Sequence, residues 1–269
     1  MKLLFIGDIV GRTGRDLVRR YLRSLAASVE ADLVIANGEN AAGGAGITRD
    51  NTIELLAAGV DVITSGNHVW DKRETLEFIG TEPRLIRPAN YPAGTPGLGS
   101  HVAVAKSGVK VGVVNVMGRV FLHAIDDPFR TADREIARVR GEGAQVVFVD
   151  VHAETTSEKT ALGWYLDGQV SAVIGTHTHV QTADERILPK GTAYLTDVGM
   201  TGPHDGVIGM NRDAVIARFV TGLPGRFEPA TGDPRLHGVT ISVDAATGSA
   251  SAIERLSLTE DALKGLVGS

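Results

Sequence analysis

The sequence contains no cysteine, so disulfides, thiolate nucleophiles and thiolate metal sites are all excluded. Any metal held by this chain must be held by nitrogen and oxygen. An excess of positive charge is also missing: 27 lysines and arginines stand against 32 acids, a formal net charge of −5. That balance argues against a general nucleic-acid binder, which normally carries a basic face, so no stable nucleic-acid partner is expected. It leaves room for a small phosphorylated substrate held through a metal. No apolar run approaches the roughly 20 residues that span a bilayer. The apolar opening Leu3-Leu4-Phe5-Ile6 is ended by Gly7-Asp8, too short for the core of a signal peptide. The expectation is a cytoplasmic protein with no membrane partner. Internal repeats, low-complexity tracts and long linkers are missing too. With 269 residues, 43% apolar and 22% charged, one domain over 1–269 with a substantial core is expected.

What is present alternates between buried strands and helices. Lys2 to Ile6 reads as a first buried strand, followed by a helix with Leu17, Val18, Tyr21, Leu22 and Leu25 at helical spacing. Strands are expected at 32–36 and 60–64, with a helix over 51–58 between them that Thr48 or Asp50 could cap. Residues 81–99, with Pro83, Pro88, Pro92 and Pro96, read as an irregular surface excursion. The segments 101–106 and 110–116 alternate across Ser107-Gly108, a hairpin signature. Helices over 131–140 and 157–166 and strands at 145–149, 170–174 and 193–196 follow. Two alternating strands at 239–243 and 253–258, joined by a 244–248 turn, close the chain. This is an α/β pattern with largely parallel strands early and hairpins late, which predicts two packed mixed β-sheets flanked by helices.

In such folds ligands bind at the carboxyl ends of strands. Asp8, Glu39 with Asn40, Asn67 with His68, His152, and His177 with His179 each fall in a loop after a predicted strand; Asp197 is a further candidate. His177 and His179 are two residues apart at a strand's end, where i and i+2 point the same way, so both imidazoles can face one point. Imidazole is the commonest side chain to bind a transition metal. Singly, each residue has an ordinary reading as a cap, a turn residue or a surface or core histidine. Their recurrence at one topological place favours a metal site. Two carboxylates, two amides and three or four imidazoles exceed what one ion takes and suit two. A pair of ions roughly 3.5–4 Å apart, sharing a bridging carboxylate, is well suited to phosphate esters. An acid opposite the nucleophile then protonates the leaving alkoxide. The rival reading of Gly7–Gly14 as a phosphate-cradling loop lacks the Gly-Lys-Ser/Thr of a P-loop. It also places Asp8 where it would repel a phosphate; the metal reading explains that acid.

The ordered set Gly7-Asp8, Gly38-Glu39-Asn40, Gly66-Asn67-His68, His152 and Gly175-Thr176-His177-Thr178-His179 resembles the calcineurin-like metallophosphoesterase superfamily. Further stretches, Asn37-Gly-Glu-Asn-Ala-Ala42, Gly66-Asn-His-Val-Trp-Asp-Lys72, Asp150-Val-His-Ala-Glu-Thr-Thr-Ser-Glu-Lys159 and Thr196-Asp-Val-Gly-Met-Thr-Gly-Pro203, look most like its YmdB-type branch of bacterial phosphodiesterases. The chain departs from the wider superfamily in three ways. The early Asp-x-His is Asp8-Ile9-Val10, the bridging Asp is Glu39 beside Asn40, and the acid that often follows Gly-Asn-His is Val69. The first two departures are those of the branch, in which the amide beside the bridge replaces the lost imidazole.

The resemblance implies a four-layer α-β-β-α metallophosphoesterase architecture and two transition-metal ions, iron or manganese. It assigns Asp8, Glu39, Asn40 and His179 to the first metal, and Glu39, Asn67, His152 and His177 to the second. His68 is assigned as proton donor to the leaving group, a task suited to imidazole at neutral pH. Asp71 is a candidate to orient it, against a surface salt bridge or helix cap. The implied activity is hydrolysis of 2′,3′-cyclic nucleotides at the 2′ bond to leave a 3′-phosphate, by a homo-oligomer. Alternatives are a phosphomonoesterase or nuclease on the same site, or a nucleotide- or metal-sensing regulatory protein. His101, His123 and His237 read as structural, His237 as preceding an edge strand. His204, in the Gly202–Gly206 loop, is a candidate to line the substrate pocket.

Overall fold

The computed structural model describes residues 1–267 and is a mixed α/β protein. The chain begins with β1 (Lys2–Ile6), the two-residue β2 (Asp8–Ile9), α1 (Gly11–Ser28) and β3 (Leu33–Asn37). It continues through α2 (Arg49–Ala58), β4 (Val62–Thr64), the short α3 (Thr75–Phe78), the hairpin of β5 (Ser100–Val104) and β6 (Lys110–Met117), and α4 (Pro128–Gly141). Then come β7 (Val146–His152), α5 (Thr156–Leu166), β8 (Ala172–Thr176), β9 (Arg186–Ile187), β10 (Ala193–Leu195) and β11 (Met200–Pro203). The last elements are α6 (Arg212–Thr221), β12 (Pro234–Val243), β13 (Ala250–Thr259) and α7 (Glu260–Val267). Thr48 caps α2 by accepting from the Asn51 N–H, Asp127 caps α4 by accepting from the Arg130 N–H, and Gly59 closes α2 in a left-handed conformation.

One sheet has seven strands in the order β2-β11-β12-β1-β3-β4, with β13 on the outer side of β12; the other has six, β5-β6-β7-β8-β10-β9. Both mix parallel and antiparallel pairs. The alternation of side chains along each strand divides the apolar residues among three layers. Leu3 and Phe5 of β1, Leu33 and Ile35 of β3, and Val146 and Phe148 of β7 fill the space between the sheets. Phe5 and Phe148 meet there edge to face with centroids 4.8 Å apart. On the far side of the first sheet, Leu4, Ile6, Val34 and Ala36 pack against Leu17, Leu22 and Leu25 of α1. On the far side of the second, Val147, Val149 and Val173 pack against Ile136 and Val139 of α4 and Leu162 of α5. Helix, sheet, sheet, helix: the expected four layers are present. Among the described residues no helix is long and apolar enough to cross a membrane.

Two local expectations are corrected. The 81–99 segment is irregular, yet Leu85 to Asn90 within it are buried, because it lies across β4 and accepts and donates ladder bonds with Ile63. His237 does not precede an edge strand; it lies within β12, which has β1 on one side and β13 on the other.

Candidate metal centre

The parallel strands of both sheets end at one place. Asp8 follows β1, Glu39 and Asn40 follow β3, Asn67 and His68 follow β4, His152 ends β7, and His177 and His179 follow β8. All eight candidate residues from the sequence therefore come together at one place, five of them on the lining of a cavity and Asp8 and His152 fully buried beneath. Asp197 does not join them: it is fully buried against Lys159 Nζ at 2.6 Å and accepts from the Thr178 N–H and hydroxyl.

The centre of the cluster is His152 Nε2. Glu39 Oε1 lies 3.2 Å from it, Asn67 Oδ1 2.8 Å and His177 Nδ1 3.0 Å. The ligand atoms of Glu39, His152 and His177 all lie within 4.8 Å of one another, as a shared cation requires. A second group adjoins it. Asn40 Nδ2 is 3.1 Å from both Glu39 Oε1 and His179 Nε2, and Asp8 Oδ1 is 3.9 Å from His179 Nε2. Asp8 Oδ1 is buried with no hydrogen-bond partner among the described residues. Buried carboxylate oxygens are normally paired, and a cation would satisfy this orphan.

Outer partners turn each imidazole so that one ring nitrogen faces inward. Thr176 donates its hydroxyl to Asp150 Oδ1 at 2.7 Å, so its oxygen accepts from His152 Nδ1–H at 2.9 Å and leaves Nε2 for the cluster. His177 Nε2–H donates to Glu154 Oε2 at 3.0 Å, leaving Nδ1 inward. His179 Nδ1–H donates to the Ile208 carbonyl at 2.9 Å, leaving Nε2 inward. Asp150, Thr176, Glu154 and Ile208 have these parts without having been singled out in the sequence. Asp150 was findable: two residues before His152 on one strand, it must share that residue's face.

The His177–His179 pair is not placed by extended-strand geometry. His177 has φ 99° and His179 φ 66°, both in the left-handed region that non-glycine residues rarely adopt. Such strain persists where the surroundings impose it, and it gathers at functional sites. Gly66 serves close approach instead: a Cβ there would lie 2.3 Å from both Glu39 Oε2 and His152 Nε2.

Burial and close charge pairs act together on the acids and imidazoles of the cluster. Burial pushes Asp8 up to about 6, although His179 and His152 pull the other way. Burial also opposes ionisation of Glu39, but the charge and hydrogen bond of His152, then His68, outweigh it and hold the carboxyl at about 2. Its partner His152 is raised to about 9, Glu39 overcoming the effect of burial. His177 is lowered to about 3 by burial and by His152, so it stays a neutral lone-pair donor.

His68 stands at the rim. Its backbone N–H donates to Glu39 Oε2 at 3.1 Å, and its Nδ1 is 2.8 Å from Asp71 Oδ2. Of the readings open for Asp71, the contact is a surface ion pair, both side chains being partly exposed, and no helix is capped by it. Of the remaining histidines, His204 lines a neighbouring cavity of about 370 Å³ with His179, Ile208 and His237, while His101 sits in β5.

Known proteins share this arrangement of sequence. A family model described as YmdB-like protein matches residues 4–256. A Bacillus subtilis (strain 168) protein named 2′,3′-cyclic-nucleotide 2′-phosphodiesterase is 53% identical over 261 residues, covering 97% of this chain and 98% of its own. Two solved structures share the fold. A hypothetical protein from Thermus thermophilus superposes with a TM-score of 0.89 at 45% identity, covering 96% of this chain and 99% of its own. A protein from Mycoplasma pneumoniae described as a novel phosphatase gives 0.90 at 36% identity, covering 96% and 93%.

Proposed function

Because this chain belongs to the YmdB-like protein family, we propose that it is a dinuclear metal-dependent phosphodiesterase that opens 2′,3′-cyclic nucleotides at the 2′ bond to leave a 3′-phosphate. The observation that carries this reading is the convergence on His152 Nε2 of Glu39, Asn67 and His177, beside the orphaned Asp8 oxygen. One imidazole N–H could satisfy only one of those acceptors, whereas cations accept them all.

Glu39, Asn67, His152 and His177 would hold one ion, and Asp8, Glu39, Asn40 and His179 the other, with Glu39 shared. Asn40 presents its amide oxygen after a half-turn of the amide, since its O and N atoms exchange places. Imidazole and carboxylate donors favour manganese, iron or zinc over magnesium, and the family resemblance narrows these to iron or manganese. When bound, such a pair supplies Lewis acidity toward the phosphate oxygens and lowers the pKa of water. The chain supplies the rest. Asp71 accepts from His68 Nδ1–H, so that Nε2 is the atom that delivers a proton to the departing 2′ oxygen. Glu39 accepts the His68 backbone N–H and fixes where that ring begins. The same proposal includes a cytoplasmic location and self-association, the latter supported by Phe219, Val220 and Leu223, which lie exposed at and just after α6.

Metal analysis of protein purified without chelator should give about two transition-metal ions per chain. In His68→Ala, cyclic-nucleotide hydrolysis should fall by about 10²–10⁴ with the metals retained. Metal loss in that variant would make His68 a ligand and overturn its assigned role. The relationship to a protein described as a phosphatase favours a second reading, monoester hydrolysis at the same centre. A panel of cyclic nucleotides, nucleoside monophosphates and oligonucleotides separates the two.

A further inference from the structure

A cavity of about 440 Å³ opens onto the cluster, with Glu39, Asn40, His68, His177 and His179 on its lining. That volume suits a mononucleotide-sized ligand. Much of the remaining lining is apolar or glycine: Gly43, Gly44, Ala45, Ile208, Met210 and Phe227. Candidate metal ligands and an apolar wall thus share one space.

Two residues of that wall, Ile208 and Phe227, keep apolar side chains partly exposed. Val207 and Met210 exchange backbone hydrogen bonds at 2.9 and 3.0 Å around Ile208-Gly209, whose φ values are 46° and 90°. This is the two-residue hairpin turn that favours Asn-Gly. A β-branched residue is the wrong choice for its first position. The bond from His179 to the Ile208 carbonyl does not explain it, since any residue offers a carbonyl. The isoleucine side chain is 51% exposed and lines the cavity. Phe227 is likewise only half-buried, and its ring is braced by the Arg218 guanidinium 5.2 Å from the centroid. Among the described residues it is the one phenyl ring on the cavity lining. Gly44 lets this wall close down, because a Cβ there would meet Met210 Cε at 2.8 Å and Pro229 Cγ at 3.1 Å.

We propose that Phe227, Ile208 and Met210 form a nucleobase subsite, on which the base of the substrate stacks while its phosphate lies at the metal donors. The inference rests on the diesterase reading and extends it to the base. Stacking uses the π-face that every base has, so the subsite accepts purines and pyrimidines alike, with purines held more tightly.

The test compares adenosine 2′,3′-cyclic phosphate with glycerol 1,2-cyclic phosphate, the same ring diester without a base, on the metal-loaded enzyme. In Phe227→Ala the ratio of kcat/KM for the nucleotide to that for the base-free diester should fall about tenfold, chiefly through KM, and Phe227→Trp should restore it. Ile208→Asn should lower the same ratio while raising the melting temperature, because the turn is then relieved of strain. Equal losses on both substrates, or none, would overturn the subsite. Calorimetric binding of adenosine 3′-phosphate to the same proteins decides the matter independently of turnover. Wild-type protein that cleaves neither diester would sink the diesterase reading. The subsite would still stand if Phe227→Ala weakened that binding about tenfold, and fall if it did not.

Discussion

Each histidine of the cluster has one nitrogen given to a partner that is not a ligand, and those partners decide which lone pair is offered. The most buried of them is the Asp150–Thr176 pair beneath His152. Burial pushes Asp150 up to about 7 despite His152 and the hydroxyls of Thr64 and Thr176, both of which donate to its carboxylate. Thr176→Val keeps the shape and removes the hydroxyl. Metal affinity, measured by competition with a chromophoric chelator, should drop roughly 10–100-fold, and Thr176→Ser should keep most of it. Unchanged affinity in Thr176→Val would show that this hydroxyl does not set the orientation of His152. A second residue-scale expectation concerns His237, buried in β12 beside His204. Burial, then the neighbouring His204 and Arg235, lowers it to about 4. Its folded pKa lies below its ordinary value of 6.5, so the folded protein binds fewer protons than the unfolded chain between the two. The stability it contributes is therefore complete above about pH 6.5 and is lost as pH falls toward 4. Thermal melts across that window should be flatter for His237→Gln than for the wild type.

At the scale of elements, the loop after β8 is the one that must hold two strained histidines, and a buried ion pair pins it from below. Lys159 of α5 and Asp197, the residue after Thr196 beyond β10, are both about 1% exposed, and Thr178 donates twice to the same carboxylate. Removing one partner of such a pair leaves a buried charge, which costs about 3–5 kcal/mol. Lys159→Met should lose that much in urea unfolding, and Lys159→Met with Asp197→Asn should recover a large part of it. If the single and double variants are equally unstable, the pair is not what holds the loop. This arrangement also shows where the sequence was readable. Strands such as β1, β3 and β7 announce themselves because both faces are apolar, and their loops could be placed at one sheet edge from order alone. Asp197 looked like another loop acid because nothing local distinguishes a ligand from the partner of a lysine 38 residues away. The short strands β2, β9 and β11 and the helices α3, α6 and α7 were not visible, since two to four residues have no period and α6 and α7 bury one residue each, Val215 and Leu263. The left-handed backbone of His177 and His179 was hidden for a different reason: tertiary contacts impose it against local preference.

At the scale of the whole molecule, the two sheets supply the cluster jointly. Asp8, Glu39, Asn40 and Asn67 come from the first sheet, and His152, His177 and His179 from the second. The apolar seam of Phe5 and Phe148 brings these edges together, and acids from one sheet face imidazoles from the other at its end. Metal binding should therefore act as a clasp between sheets. Anything that binds the folded state alone stabilises it by RT ln(1 + [L]/Kd), about 2.7 kcal/mol at a hundredfold excess over Kd. For a chain of this size that is roughly 5–10 °C in melting temperature. Chelation should lower the melting temperature by that order, and manganese or iron should restore it. The variants then divide the effect. His177→Ala and His179→Ala should each keep about one ion per chain and part of the stabilisation, whereas Glu39→Gln, which removes the shared carboxylate, should lose most of both. Equal metal content in all three variants would mean that the two imidazoles serve one ion, and that Glu39 bridges nothing.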